Sequence, residues 1–182
     1  MKSIKIKLKH PNRAKLDKLR SILFELDQIT NDYLPLRLKE LETKTYPPFK
    51  EHYANYRTAY PAINSGVLQN HLRNLDKTIK SYIVWCKKKK KLVTFPKNIK
   101  TSIPLRNDMF HFEWNEQSKT FDAWFKFLRT YFPLKICKYH QKALIDFESI
   151  SDSSIIVYKN DLYLRLVFNT KEKVLKTNST LG

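Results

Sequence analysis

Residues 2–9, KSIKIKLK, alternate strictly between polar and apolar side chains, and the next strand-like periods come only after residue 91. Ile4, Ile6 and Leu8 point to one side, and Ser3, Lys5, Lys7 and Lys9 to the other. That is the two-residue period of a strand with one buried face and a basic outer edge. A lone strand leaves its backbone N–H and C=O groups unpaired and cannot close a core, so it must pair with strands supplied much later in the chain.

What lies between reads as helix. Pro11 sits where a helix starts, and Leu16, Leu19, Leu23, Leu26 and Tyr33 carry an apolar stripe to Pro35. Pro35 is expected to kink or break that helix, leaving 36–44 as a short continuation. A turn at 46–48 leads into a second helical piece over 49–60. Tyr53, Tyr56 and Tyr60 share its face, an aromatic stripe that is more often core than ligand platform, although tyrosine also stacks on bases.

The third helix spans residues 64–91. Leu68, Leu72, Leu75, Ile79 and Ile83 recur at three- and four-residue steps and form its core stripe. Gln69, Arg73, Lys77 and Lys80 follow the same steps on a different face, and five lysines, Lys87, Lys88, Lys89, Lys90 and Lys91, close the segment. Gln pairs bidentately with adenine, Arg with guanine, and lysines neutralise phosphates, so this face suits a nucleic-acid groove. A solvated helix face is the plainer reading of the same residues.

After residue 91 the period changes to that of strands. Residues 92–97 read as extended, 109–114 and 120–128 as strands joined around 115–119, 133–139 as a third, and 154–158 with 162–168 as a hairpin across Asn160 and Asp161. The order strand, helices, strands predicts an α+β fold in which a small OB-like β-barrel is interrupted by a helical insertion. Residues 1–10 then supply the first barrel strand, 11–91 the insertion, 92–175 the remainder of the barrel and 176–182 a C-terminal tail.

Charge narrows the function. Lys plus Arg number 35 against 17 Asp plus Glu, a formal net charge of +18, and the sequence pI is about 9.8. Those values have the electrostatic signature of a nucleic-acid-binding domain. Self-repulsion on that scale disfavours a compact fold and is offset when a polyanion is bound. A basic membrane-surface protein is the competing reading. No apolar run reaches the roughly 18 residues of a membrane span, and the amphipathic segments read as core helices, so no membrane partner is expected. Gly66 and Gly182 are the two glycines of the chain, which leaves no glycine-rich phosphate loop of the Walker or dinucleotide kind. The opening residues alternate in charge where a leader would be apolar, and an intracellular, cytoplasmic or nucleoid-associated protein is expected.

No catalytic constellation stands out. His10, His52, His71, His111 and His140 show no HxxxH or HExxH spacing, and no aspartate ends an apolar strand beside a glycine, so neither a metal site nor a cofactor is expected. Cys86 and Cys137 read as buried thiols. Cys137 and His140 lie three apart and are a weak candidate for a nucleophile and its base.

Four segments carry a resemblance: KIKLKHPNRAKLDKLRSIL from Lys5, SGVLQNHLRNLDKTIKSYI from Ser65, TFPK from Thr94, and SIIVYKNDLYLRLVF from Ser154. Together they make the chain resemble the N-terminal half of the TnpB (OrfB) family of transposon-encoded RNA-guided nucleases, relatives of the compact type V CRISPR effectors. The resemblance implies a wedge-type barrel, a helical recognition insertion, and a RuvC-like nuclease domain beginning about where residues 178–182 stand. The family's catalytic acids and CxxC zinc ribbon are not in this sequence. What the resemblance implies is therefore recognition without cleavage: a nuclease-deficient module that binds a guide RNA and a target-adjacent DNA motif, alone or beside a separately encoded RuvC-like subunit. A separate subunit, a decayed element and a fragment fit equally. Carried onto this sequence, Gln69 and Asn70 become base-edge candidates, and Arg73, Lys77 and Lys80 phosphate contacts. Tyr53 and Tyr56 stand nearby, Lys5, Lys7 and Lys9 line an RNA-facing barrel edge, and Lys87, Lys88 and Lys89 add charge. The alternative is a guide-independent barrel protein that binds structured RNA or DNA.

Overall fold

Strand β1 (Lys2–Leu8) buries Ile4, Ile6 and Leu8 and turns its lysines outward. Its partners do come from the far end of the chain. The computed structural model describes residues 1–9, 12–45, 47–90, 95, 99–117, 120–144, 147–158 and 161–170. On one side β1 pairs with β8 (Asp161–Thr170), from Lys2 opposite Phe168 to Lys7 opposite Tyr163. On the other it pairs with β5 (Thr130–Lys135), Lys7 opposite Lys135 and Leu8 opposite Leu134. The sheet continues from β5 into β4 (Thr120–Phe125) and β3 (Phe110–Asn115), and from β8 into β7 (Ser153–Tyr158) and β2 (Ile103–Leu105). Strand β6 (Phe147–Ile150) pairs with the end of β8 beyond β7. Ser153 Oγ stitches the break between them, accepting the Val167 N–H and donating to Ser151 O, both at 3.0 Å.

All pairings are antiparallel, and the strands curl into a nearly closed barrel. The expected α+β barrel with a helical insertion is what the chain forms. One detail differs: β1 is an interior strand, so Lys5 and Lys7 stand on the barrel's outer face and not on a sheet edge.

The insertion consists of α1 (Arg13–Thr43), α2 (Phe49–Ala59) and α3 (Ser65–Lys89), all between β1 and β2. Asn12 caps α1 by accepting the Lys15 N–H at 2.9 Å; Pro11 and Tyr46 fall outside the described residues. Pro35 does not break α1, which runs through it for 31 residues. Pro35 and Asn31, whose carbonyl loses its i+4 donor to the proline ring, both lie on the exposed side, where that carbonyl can be solvated. Leu26, Ile29, Tyr33 and Leu34 meanwhile hold the opposite side in the core.

The expected strand over 133–139 also divides. It starts earlier, as β5, and Cys137 opens a short helix α4 (Lys138–Leu144). The alternation that serves Phe132 and Leu134 ends at Ile136, and His140 Nδ1 accepts the Cys137 N–H at 3.2 Å, a cap that starts a turn. Strands β2 and β6 had no signal above. The stretch 92–97, Phe95 apart, and Lys91 lie outside the described residues.

One buried cluster spans insertion and barrel. Leu26, Ile29 and Tyr33 of α1 and Leu68, Leu72, Leu75 and Ile79 of α3 join Phe110, Phe125, Phe132, Leu164 and Phe168 of the barrel. Burying each such side chain is worth about 1.5–3 kcal/mol, so the helices are fixed to the barrel by hydrocarbon. A polar network sets the register between α1 and α3. Tyr33 Oη donates to Asp76 Oδ1 at 2.8 Å and Arg37 Nε to the same oxygen at 3.1 Å. Arg37 also pairs with Glu40, which His52 Nε2 approaches to 3.2 Å. Burial first, and then the Asp76 acceptor, push the Tyr33 phenol far above its ordinary value. Asp76→Ala strands the Tyr33 hydroxyl while Arg37 keeps Glu40, so urea denaturation is expected to show a loss of about 1–3 kcal/mol, with Asp76→Asn closer to wild type. Among the described residues, no helix is long and apolar enough to cross a membrane.

Candidate nucleic-acid interface

Asn64 starts α3 by accepting the N–H groups of Gly66 (2.9 Å) and Val67 (3.4 Å). From there the helical period decides which side chains meet solvent. Leu68, Leu72, Leu75 and Ile79 are buried, and about half a turn away Arg73, Asn74, Lys77 and Lys80 are exposed. Because α3 packs beside β2, this outer face forms one wall of a cleft against the barrel. The cleft has a volume of about 440 Å³ and is lined by Asn70, Arg73, Asn74 and Lys77 from α3, Arg106 after β2, Ser154 of β7 and Arg165 of β8. The one carboxylate in its lining is Asp152.

The three guanidinium groups of the cleft each touch a neighbour. Arg73 lies over the Phe49 ring at 5.7 Å, a cation–π contact that leaves its N–H edges free to donate. Asp108 grips Arg106 with two bonds, Nε to Oδ1 at 3.0 Å and Nη2 to Oδ2 at 2.8 Å. Arg165 Nε donates to Ser3 Oγ at 3.4 Å.

From Arg165 the charge continues over the barrel's outer face. Arg165 stands directly opposite Lys5, and Lys7 directly opposite Lys135. Two like-charge cross-strand pairs in neighbouring positions oppose sheet formation. Part of the Lys7 charge is met by Asp161, whose hydrogen bond raises the ammonium pKa. The path from Arg73 through Arg165 to Lys135 is thus a cationic track on two packed elements.

At the other end of the sheet the sign reverses. On the outer side of β3 lies exposed Glu113, with exposed Glu116 in the following turn and Tyr131 beside them; Asp122 of β4 is buried beneath, accepting from Asn115 Nδ2 and Thr120 Oγ1, both at 3.0 Å. Hydrogen bonds from Tyr131 and then His111 hold the Glu113 carboxyl below its usual range. The cationic side chains are thus concentrated on the cleft side of the sheet and the exposed carboxylates Glu113 and Glu116 on the other.

The sequence-predicted candidates divide accordingly. Asn70, Arg73 and Lys77 line the cleft, and Lys5 and Lys7 extend it. Lys9 and Lys80 are exposed outside its lining, and Lys87, Lys88 and Lys89 occupy the last turn of α3, where cations also complement the helix dipole. Gln69 and Asn70 are both half-buried, and of the two Asn70 lines the cleft. Tyr56 is removed from the candidates: it is buried, edge-on to Tyr33 at 5.6 Å, and its hydroxyl donates to Asp32. Tyr53 stacks on Phe49 at 6.4 Å and packs against the core.

Three contributors went unnoticed at the sequence level. Arg165 and Lys135 alternate with inward Leu164, Leu166 and Leu134, and an outward cation in a strand is legible by that period. Arg106 sits in a connection whose direction only the packing of β2 supplies.

The thiols also differ from expectation. Cys86 is half-buried and Cys137 exposed. Cys137 Sγ lies 3.5 Å from His140 Nδ1, the nitrogen whose lone pair is engaged in capping α4. Among the described residues no group of three His, Cys, Asp or Glu side chains is placed to hold a metal ion. In comparison with known proteins, the chain matches no family model and no curated protein.

Proposed function

We infer that this chain is a nucleic-acid-binding module whose working ligand lies in the cleft between α3 and the barrel, and that it acts as the nuclease-deficient recognition part of a TnpB-like RNA-guided system. The observation that carries the binding reading is the cleft itself: Arg73, Lys77, Arg106 and Arg165 converge from three separate chain segments on one groove with a single carboxylate in its lining. Convergence of that kind is not what solvation of a helix face requires. Guanidinium groups grip phosphate through paired N–H donors; Arg73 and Arg165 are the candidates for that grip, because Arg106 spends Nε and Nη2 on Asp108, and Asn70 beside them offers an amide that pairs with adenine edges.

The guide-RNA part of the proposal is supported by the barrel interrupted by helices between its first and second strands, the arrangement the sequence resemblance implies. On this reading the track over Arg165, Lys5, Lys7 and Lys135 holds the guide backbone and the α3 face meets target DNA, while base pairing supplies most of the specificity. Any cutting belongs to a RuvC-like partner.

The test is to purify the chain from cells carrying its native locus and sequence the RNA bound to it. One discrete transcript recovered in near-stoichiometric amount is the expected result. A broad mixture tracking cellular abundance supports the guide-independent barrel protein instead, and recovery of no nucleic acid at low salt removes both.

A further inference from the structure

Beyond the cleft, α3 continues for three turns, and its outer side changes character. Trp85 is 45% exposed and Val84 54% exposed. Ser81 stands a turn before them, and Lys87, Lys88 and Lys89 follow, all exposed. Tryptophan has the largest aromatic face of the side chains, and here that face meets solvent beside a run of lysines. Asn74, Ser81 and Trp85, at i, i+7 and i+11, fall in one row along the helix, and Asn74 lines the cleft. Trp85 therefore stands about 12 Å further along the axis than Lys77, in line with the cleft wall.

Resting on the nucleic-acid reading above, we propose that the end of α3 is a stacking site for an unpaired nucleotide, with the Trp85 indole against the base and Lys88 and Lys89, at i+3 and i+4 on the same side of the helix, on the flanking phosphates. A duplex offers phosphates to such a surface, but its bases are stacked on each other and present no free π-face along its length. An unpaired strand offers both, and every base has a face to stack. The ligand class is thus a single-stranded segment leaving the cleft.

An anionic membrane is the other polyanion that attracts tryptophan beside lysines. It fits less well, because a helix lying in a lipid interface inserts a continuous apolar face. The apolar face of α3, from Val67 through Ile79, is spent inside the protein's own core.

Trp85 is exposed, so Trp85→Ala and Trp85→Phe leave the core untouched. Their affinities for an unpaired oligonucleotide and for a blunt duplex of matched length are to be measured by fluorescence anisotropy at fixed salt. Tryptophan emission is to be followed on titration with the oligonucleotide and with phosphatidylserine vesicles. The expected result is a loss of about 5- to 150-fold for the single strand with Trp85→Ala, most of it restored in Trp85→Phe, and no change for the duplex. An unchanged single-strand affinity, or an equal loss on the duplex, overturns the proposal. So does Trp85-dependent vesicle binding without a Trp85-dependent response to the oligonucleotide. A wild-type protein that binds strand and duplex while ignoring Trp85→Ala defeats this inference alone; one that binds neither defeats the proposed function as well.

Discussion

Replacing Arg73, Lys77 and Arg165 together by glutamine is expected to weaken nucleic-acid binding about 10²- to 10³-fold at 0.1 M salt and to lower the slope of log K against log salt by about 3. The reasoning is counterion release. Each phosphate that a fixed cation neutralises adds about 0.9 to the slope, and thus roughly a factor of ten in affinity at that ionic strength. All three residues are exposed, so the variant keeps its core and its melting temperature should hardly move. The control is a second triple of equal charge, Arg20, Lys39 and Lys126 to glutamine, whose positions are exposed and do not line the cleft. Both triples remove the same three charges from a protein of net charge +18. If nothing but net charge attracts the ligand, the two fall together. If the cleft is the site, the first loses orders of magnitude and the control a small factor. Equal losses would end the assignment of the cleft.

The sequence announced the fold more fully than the site, for a physical reason. A strand with Ile4, Ile6 and Leu8 on one face and no local partner compels late pairing, and β5 and β8 duly flank it. Burial has a period, and period is visible along a chain. What misled was competition between local rules and packing. Pro35 is a helix breaker by local preference, yet the core side chains on the opposite side of α1 outweigh one lost hydrogen bond on the wet side. Pro133 to Ile136 read as the start of a longer strand, yet a cap at Cys137 diverts the chain into α4.

The site was half legible. Arg73 and Lys77 declare themselves as the outward row of an amphipathic helix, and each could still have been mere solvation. Their meaning comes from Arg106 and Arg165, separated from them by tens of residues and brought opposite by the packing of α3 on β2. No one-dimensional period encodes that meeting. The tyrosines show the converse. The Tyr53 and Tyr56 stripe, more often core than platform at that spacing, is core here: Tyr56 is buried against Tyr33 of α1, and Asp32 takes its hydroxyl.

The cleft depends on α3 keeping its place, and the burial of His71 makes the stability of the fold that holds it there sensitive to pH. The imidazole is buried between α3 and α1, with Nε2 at 2.9 Å from Thr30 Oγ1 and 3.1 Å from Leu26 O. Thr30 gives its own proton to Leu26 O at 2.8 Å, so Nε2–H is the donor in this cluster. Burial lowers the His71 pKa from 6.5 to about 4, against smaller opposing effects of the Leu26 carbonyl and Asp27. The unfolded chain therefore binds the extra proton between those two values. Stability is complete above about pH 6.5 and is lost as pH falls toward 4, by about 2 kcal/mol on reaching pH 5 and about 3 kcal/mol on reaching pH 4. Denaturation midpoints in urea across this range should follow that curve for the wild type. His71→Gln keeps a donor for Thr30 and Leu26 but has nothing to titrate, so its stability should stay nearly level between pH 7 and pH 5, above the range in which ordinary carboxylates titrate. Parallel curves for the two proteins would mean that His71 is not the titrating group. Nucleic-acid affinity at pH 5.5 is the control on this assignment: the folded His71 stays neutral there, so α3 keeps its seat on α1 and cleft binding by the folded wild type and the folded glutamine variant should respond to pH alike.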